Sequence, residues 1–425
     1  MTTILFVSLV IFFALNVPIA ISIGASTLIS LLASPIPPTV LVQKMFTAMD
    51  SFPLMAVPFF ILAGSLMEHG GISRRLIHLA NTFVGHFAGG LAFVAIIASM
   101  FFGAISGAAA ACVAAIGSIL IPEMVSRGYG KPYTAAVQAT AGTLGVMIPP
   151  SIPMIIYCVM SGVSVGALFM GGFIPGVLVG VSLMLVAWVI ARKKGYRGER
   201  RFTRTERKAA FKDAFWALLM PVIILGGIYG GVFTPTEAAV VAVVYGLVVG
   251  FFVYKELKFS QMKAVFVNSA VSTAIVMFII GTSSAFSWVI TSRKIPQMAA
   301  EGMLLLSSSP VVVLLMINVL LLFIGTFMET VASIIILVPV LLPVLSALEV
   351  DLLHFGIVIV VNLAIGMVTP PLGVCLFVSC GISRISLEDI SRAVWPFILV
   401  MIIDVLLLTY LPVLSYGLPK LFGLY

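Results

Sequence analysis

The chain has 425 residues, of which 61% are hydrophobic and only 9% charged, and its mean hydropathy is +1.24. Soluble domains carry about 25% charged residues, so this composition excludes a soluble enzyme or binding domain and describes a chain immersed in a bilayer. The net charge of +8 is no nucleic-acid signature, because ten of the 23 Lys and Arg lie in one polar segment, residues 191–213, where the positive-inside rule for cytoplasmic loops accounts for them.

The N-terminal stretch MTTILFVSLVIFFALNVPIA lacks the basic region and cleavage site of a secretory signal and reads as mature sequence. Residues 3–15 and 17–34 are expected as two short or tilted spans divided at Asn16 and Pro18, and residues 39–68 as a third span. The amphipathic stretch 72–88 reads as a helix on the membrane surface. Residues 89–126 are too long for one crossing: a continuous helix of that length would run roughly 55–60 Å, about twice the hydrocarbon thickness. Its middle, 103-GAISGAAAA-111, is small and uncharged, which favours a re-entrant hairpin with its tip inside the protein over two ordinary spans. The segment 132–162 then carries GVMIPPS at 145–151, where two prolines in succession break the helix, and a final span is expected over about 170–191.

After the basic linker the same order returns. Spans are expected over 216–233 and 235–254, divided by Thr234-Pro235, and over 261–291. A surface stretch at 292–307, a long apolar run at 309–348, a second broken segment at 353–379 with GMVTPPL at 366–372, and a last span at 393–415 follow. Pro149 and Pro370 lie 221 positions apart, and Gly103 and Gly325, Pro122 and Pro343, Pro18 and Pro235 fall into line within a few residues of that offset. This is an internal repeat of about 195 residues. Each copy makes five net crossings, an odd number, so the two copies face opposite ways. Charge supports the inversion. With the linker in the cytoplasm, nine further Lys and Arg join its ten at cytoplasmic ends, while four (Lys44, Arg293, Lys294 and Lys420) fall outside. Both termini are then periplasmic. The fold class expected is an all-α polytopic membrane protein of two inverted-topology repeats, each with a re-entrant hairpin and discontinuous helices.

Where a helix breaks at mid-membrane, freed carbonyls can coordinate a cation, and the N-terminal end of the next half carries a partial positive charge suited to a carboxylate. The two hairpin tips can meet the two breaks near the bilayer centre. A first site joins Gly103, Ser106 and Gly107 of the tip to Gly142, Thr143, Gly145 and Pro150 of the break. Its mirror joins Gly325, Thr326 and Thr330 to Gly366, Thr369 and Pro371. Glycine admits close backbone approach and Ser/Thr hydroxyls add oxygen ligands, a shell that suits sodium. Ser106, Ser151, Glu329 and Thr330 are the candidate substrate-site residues. Asp404 has no partner readable from sequence, Gln138, Asn268, Asn318 and Asn362 read as bonds between helices, Asp50 and Glu237 as interfacial, and the four histidines as residues of polar turns or surface helices. The four cysteines lie in apolar runs without CxxC spacing and read as ordinary buried side chains. There is no HExxH or P-loop motif, so protease and ATPase chemistry lack their residues and the chain is not expected to be an enzyme.

The stretches GAISGAAAACVAAIGS, GTLGVMIPPS, FMETVASI, GMVTPPLG and VPFFILAGSLMEHGG resemble the large membrane subunit of tripartite ATP-independent periplasmic (TRAP) transporters, over essentially the whole chain. The resemblance implies a sodium-coupled elevator carrier in the bacterial inner membrane, with Na+ as coupling ion and no organic cofactor. On that reading residues 1–88 and 214–308 form scaffold helices and surface arms, and residues 89–195 and 309–425 the hairpins and broken helices of the transport region. It implies three partners besides lipid: a small four-helix membrane subunit, expected on a separate chain, a periplasmic substrate-binding protein, and an organic acid. Within the family the resemblance is nearest the sialic-acid subgroup, with C4-dicarboxylates the competing substrate class. The break pattern is also similar to that of divalent-anion/sodium symporters, so a self-sufficient symporter or antiporter is the alternative, and a channel a third reading.

The charge asymmetry makes the topology testable. A cysteine placed at Thr205, in the linker, should react with an impermeant maleimide only after intact cells are permeabilised. Labelling of intact cells at that position contradicts the orientation.

Overall fold

The computed structural model describes residues 1–425 and consists of helices joined by short connections. In the first copy α1 (Thr2–Ala14) and α2 (Ile19–Leu32) are separate, as the Asn16 and Pro18 signals imply; Asn16 takes a left-handed conformation (φ 58°). The expected single span over 39–68 is instead two helices, α3 (Thr39–Met49) and α4 (Ala56–His69), bent by 72°. The hinge is Asp50 to Phe52, followed by a 3₁₀ turn at Pro53–Met55 that begins on a proline, so no helical ladder runs through it. α5 (Ile72–Val84) is the expected amphipathic arm and ends before residue 88. α6 (Gly90–Ser106) and α7 (Ala109–Ser126) form the first hairpin, and α8 (Lys131–Met147) and α9 (Ile152–Ser161) flank the first Pro-Pro break. α10 (Val165–Lys194) closes the copy and is longer at both ends than expected.

The linker is not a free loop. Its Tyr196 hydroxyl accepts from the Gly130 amide (2.9 Å), and Glu199 takes Asn81 of α5 at 3.0 Å and Arg127, just past α7, at 3.1 Å. A capping box of Thr203 and Glu206 then starts α11 (Arg204–Tyr229). Thr234 and Glu237 repeat the device for α12 (Pro235–Val248), which gives the expected interfacial Glu237 its role. α13 (Phe259–Ser292) is continuous where its counterpart α3–α4 is bent, and at 34 residues is about 51 Å long. α14 (Ile295–Leu306) is the second arm, α15 (Pro310–Gly325) and α16 (Thr330–Ala347) the second hairpin, and α17 (Leu352–Gly366) and α18 (Val374–Ser383) flank the second break. α19 (Leu387–Tyr410) is followed by α20 (Val413–Leu421), a terminal helix absent from the sequence reading, which ran the last span to 415. Pro175 inside α10 and Pro396 inside α19 add another pair at the 221-residue offset.

Inversion of the repeats is visible in the packing. Ser379, near the end of α18, donates to the Ala135 carbonyl near the start of α8 (2.8 Å). Tyr157, near the end of α9, donates to the Leu352 carbonyl at the start of α17 (2.6 Å). Each broken rod therefore ends where the other begins, so α8–α9 and α17–α18 run antiparallel. These rods are the centre of the molecule: every residue from Tyr133 to Met147 of α8 and from Leu353 to Gly366 of α17 is buried. A helix buried all round belongs inside a bundle, and α6, α7, α10, α18 and α19 pack around α8 while α10, α15 and α19 pack around α17. α1 and α2 pack with the end of α13 in a small separate cluster of Leu5, Ile23, Leu31, Phe286, Val289 and Ile290.

Backbone meets backbone in this core where two glycines touch. A Cβ on Gly366 would lie 2.5 Å from the Gly325 Cα, whereas one on Gly381 of α18 meets nothing within 4 Å. Gly366→Ala should therefore cost about 1–3 kcal/mol, the usual penalty of overpacking, and Gly381→Ala almost nothing. Thermal unfolding of the purified protein checks this, and equal effects contradict the packing.

Candidate ion and substrate site

The two hairpin tips do meet the two breaks. A Cβ on Gly103 would lie 2.7 Å from the Gly145 Cα, and one on Gly145 2.9 Å from the Ala108 carbonyl oxygen. Gly107 turns the first hairpin with φ 63°, a conformation costly for other residues, and sits against the Pro150 carbonyl. Gly142 packs on Val113 of α7, one turn away from the tip itself. Both Pro-Pro bonds, Pro149-Pro150 and Pro370-Pro371, are cis.

The breaks satisfy their backbone differently. In the first, the Ile152 amide donates to the Gly107 carbonyl of the tip (3.3 Å), and the Ser151 hydroxyl donates to the Val146 carbonyl (2.6 Å) while capping α9 through the Met154 amide. The second closes mostly on itself, through Thr369 N to Gly366 O, Gly373 N to Thr369 O and Cys375 N to Met367 O. The first break is wholly buried; in the second Pro371 and Leu372 are exposed.

A cavity of about 620 Å³ lies between these elements. It reaches both tips (Ser106 to Ala111, and Glu329 to Val331), Val146, Ile152 and Pro153 around the first break, and Met367 and Val374 around the second. Of the four candidate substrate-site residues, Ser106, Glu329 and Thr330 line it. Ser151 does not, because its hydroxyl is committed to the break. Of the remaining candidates, Gly103, Gly145, Pro150, Gly325 and Gly366 sit behind the wall at the tip–break contacts, whereas Gly142, Thr143, Thr326, Thr369 and Pro371 are not brought into those contacts and do not line the cavity.

Oxygen chemistry at the tips fits a hard cation. The hydroxyls of Ser106 and Thr330 are buried with no hydrogen-bond partner. Thr143, Thr326 and Thr369 donate to the carbonyls of Thr140, Phe323 and Ile365 at 2.7–2.8 Å, which leaves their lone pairs available. Glu329 caps α16, its Oε2 accepting from the Val331 and Ala332 amides at 2.8 and 3.2 Å, and faces the cavity as well.

Sequence reasoning missed one wall of the cavity. Ser65, Glu68 and His69 of α4 and Asn268, Ser269 and Ser272 of α13 line it. Asn268 does not bond between helices as expected, and the Gln138 amide is buried without a partner. Asn318 and Asn362 do link helices, at 2.8 Å, and Asn318 reaches Thr409 at 2.9 Å. Of the histidines, His69 lies on the cavity wall, and His354, in the first turn of α17 beside its Asp351 cap, is buried between Ser415 and the Thr409 carbonyl. Asp404 finds a partner in Ser182 of α10 (2.9 Å), remote from the cavity, and its Oδ2 has none. The wall was illegible because nothing local in α4 or α13, the stretch VPFFILAGSLMEHGG included, says which way its polar residues face; only the bend at residues 50–55 and the packing of α13 turn them inward.

A family model, Tripartite ATP-independent periplasmic transporter, DctM component, matches residues 6–414. The chain belongs to that family. It is 47% identical over 411 residues to the isethionate TRAP transporter permease protein DctMQ of Oleidesulfovibrio alaskensis, covering 96% of this chain and 65% of that protein. It is 40% identical to the C4-dicarboxylate TRAP transporter large permease protein DctM of Rhodobacter capsulatus (96% of each chain) and 40% identical to the sialic acid TRAP transporter large permease protein SiaM of Vibrio cholerae (89% of each). The relatives named for sialic acid are thus no more similar than the others. The relatives are permeases by name, not enzymes. Among solved structures the Alcanivorax borkumensis YdaH transporter superposes with a TM-score of 0.62 at 15% identity, over 89% of this chain and 88% of that one, a likeness of fold.

A buried hydroxyl with no partner makes no bond for its removal to break and carries a desolvation cost of about 1–3 kcal/mol, so Thr330→Val and Ser106→Ala should leave the ligand-free protein at least as stable as wild type. Both should abolish any stabilisation by sodium chloride over choline chloride. Retained sodium stabilisation in both contradicts a role in ion binding.

Proposed function

We propose that this chain is the carrier subunit of a sodium-coupled importer of an organic acid in the bacterial cytoplasmic membrane. The single observation that supports it most is the convergence of two symmetry-related tip–break contacts, with their unpartnered hydroxyls, on one cavity. Sodium occupies the oxygen shells at the two contacts, Gly103, Ser106, Gly107, Gly142, Thr143, Gly145 and Pro150 forming one and Gly325, Thr326, Thr330, Gly366, Thr369 and Pro371 the other. The acid occupies the cavity between them. Broken helices with half-helix ends facing a central site are the device by which secondary transporters hold ions and anions at the bilayer midplane.

Transport proceeds by an elevator step. The antiparallel rods, hairpins, α10 and α19 form one packed body, while α1–α4 and α11–α13 serve as scaffold, braced by the arms α5 and α14. The acid arrives on a periplasmic binding protein, and a small membrane subunit completes the scaffold, as the names of the TRAP relatives suggest.

Reconstitution tests this reading. Uptake into proteoliposomes should require sodium, the small subunit and the loaded binding protein together, and Ser106→Ala and Thr369→Val should each weaken sodium activation about tenfold or more. Uptake by this chain alone points to a self-sufficient symporter or antiporter, and flux faster than carrier turnover points to a channel.

A further inference from the structure

Resting on the transport reading above, we propose that the cavity selects a monoanionic, hydroxyl-bearing organic acid and discriminates against dianions of the dicarboxylate type. Its charge inventory is the starting point. Among the 24 residues that line the cavity, the titratable ones are Glu68, His69 and Glu329, and none is Lys or Arg. Bound sodium is the source of positive charge here, and it lies at the tips. One acidic group can be held there. A second, at the far end of a dicarboxylate, would face Glu68 and the scaffold wall with no cation to pair with, an arrangement a low-dielectric site disfavours strongly.

The rest of the wall is rich in acceptors and hydroxyls. Glu329 uses Oε2 for both of its backbone bonds, so its Oε1 has no protein partner. His69 Nδ1 lies 2.9 Å from the Ser65 carbonyl, which can only accept, so Nδ1 donates there and Nε2 is left without a protein partner. Three hydroxyls, of Ser106, Ser269 and Thr330, are buried to within 6% exposure, line the cavity from three different elements and have no hydrogen-bond partner. Carboxylates bind hydroxyl and N–H groups of a ligand; free hydroxyls bind either its donors or its oxygens.

Thermal unfolding of the purified full-length chain, in sodium chloride and in choline chloride, tests this against three probes: isethionate and N-acetylneuraminate, a small and a large hydroxylated monoanion, and succinate, a dianion. At least one monoanion should stabilise the sodium form at a concentration tenfold or more below that required of succinate, and the better of the two reports the size the cavity accepts. Succinate as effective as both monoanions overturns the inference while leaving sodium coupling intact. Stabilisation by none of the three overturns it too. Monoanion stabilisation that is indifferent to sodium refutes the transport reading instead. Glu68→Gln should narrow the gap between succinate and the monoanions about tenfold, since it removes the repelling charge; an unchanged gap removes Glu68 from the argument and overturns the charge mechanism.

Discussion

A backbone broken in the middle of a bilayer has no water to bond, and this protein meets that constraint with a second piece of backbone. The tip of each hairpin is brought against the break of its own repeat, glycine to glycine, so closely that a methyl group at Gly103 or Gly366 has no room. At the first break the tip also supplies a carbonyl, Gly107 O, to an amide the break cannot satisfy. Much else in the architecture follows. The rods that carry the breaks must be surrounded on all sides, so α8 and α17 are buried around their whole circumference. Their closeness in turn lets Tyr157 and Ser379 tie the two repeats end to end.

The two copies are alike in plan and unlike in closure. The first break is sealed, by Ser151 and by the hairpin. The second folds on its own turns and leaves Pro371, Leu372 and, at the tip, Phe327 exposed. The outer helices differ in the same sense: α3–α4 bends by 72° where α13 runs unbroken. Inverted repeats built alike are thus closed unequally around the one cavity that both hairpin tips reach.

The breaks, the repeat, the hairpins and the opposed orientation were legible because they rest on local signals: proline pairs, runs too long for one crossing, and charge counted loop by loop. Pairing of tip with break was legible too, since glycines at matched offsets in two copies leave few other partners. What stayed hidden depends on geometry between elements. Ser65, Glu68 and His69 look like the frayed end of a span, and Asn268 to Ser272 like the polar residues of any long helix. Only the hinge at residues 50–55 and the crossing of α13 aim them at the hairpins. His354 was misplaced for a related reason: it follows Asp351, an evident cap, and the helix that begins there is buried from its first turn.

Unpartnered buried polar atoms are what separate a binding cavity from a packing defect. Each costs about 1–3 kcal/mol if nothing answers it, and this chain has several: the hydroxyls of Ser99, Thr134 and Ser283 and the amide of Gln138 as well as those on the cavity. The scattered ones face closely packed helices, and Asp404, which shares its site with Ser182 alone, is of that kind. Ser106, Ser269 and Thr330 differ in that they open on one common space, from three elements far apart in sequence. Helix packing gives no reason for such convergence, since the hydroxyls of Ser106 and Ser269 could have bonded back to their own helices, as Thr143 and Thr369 do. A ligand that supplies the missing partners does give one, and it accounts for the position of the cavity between the tips as well as for its chemistry.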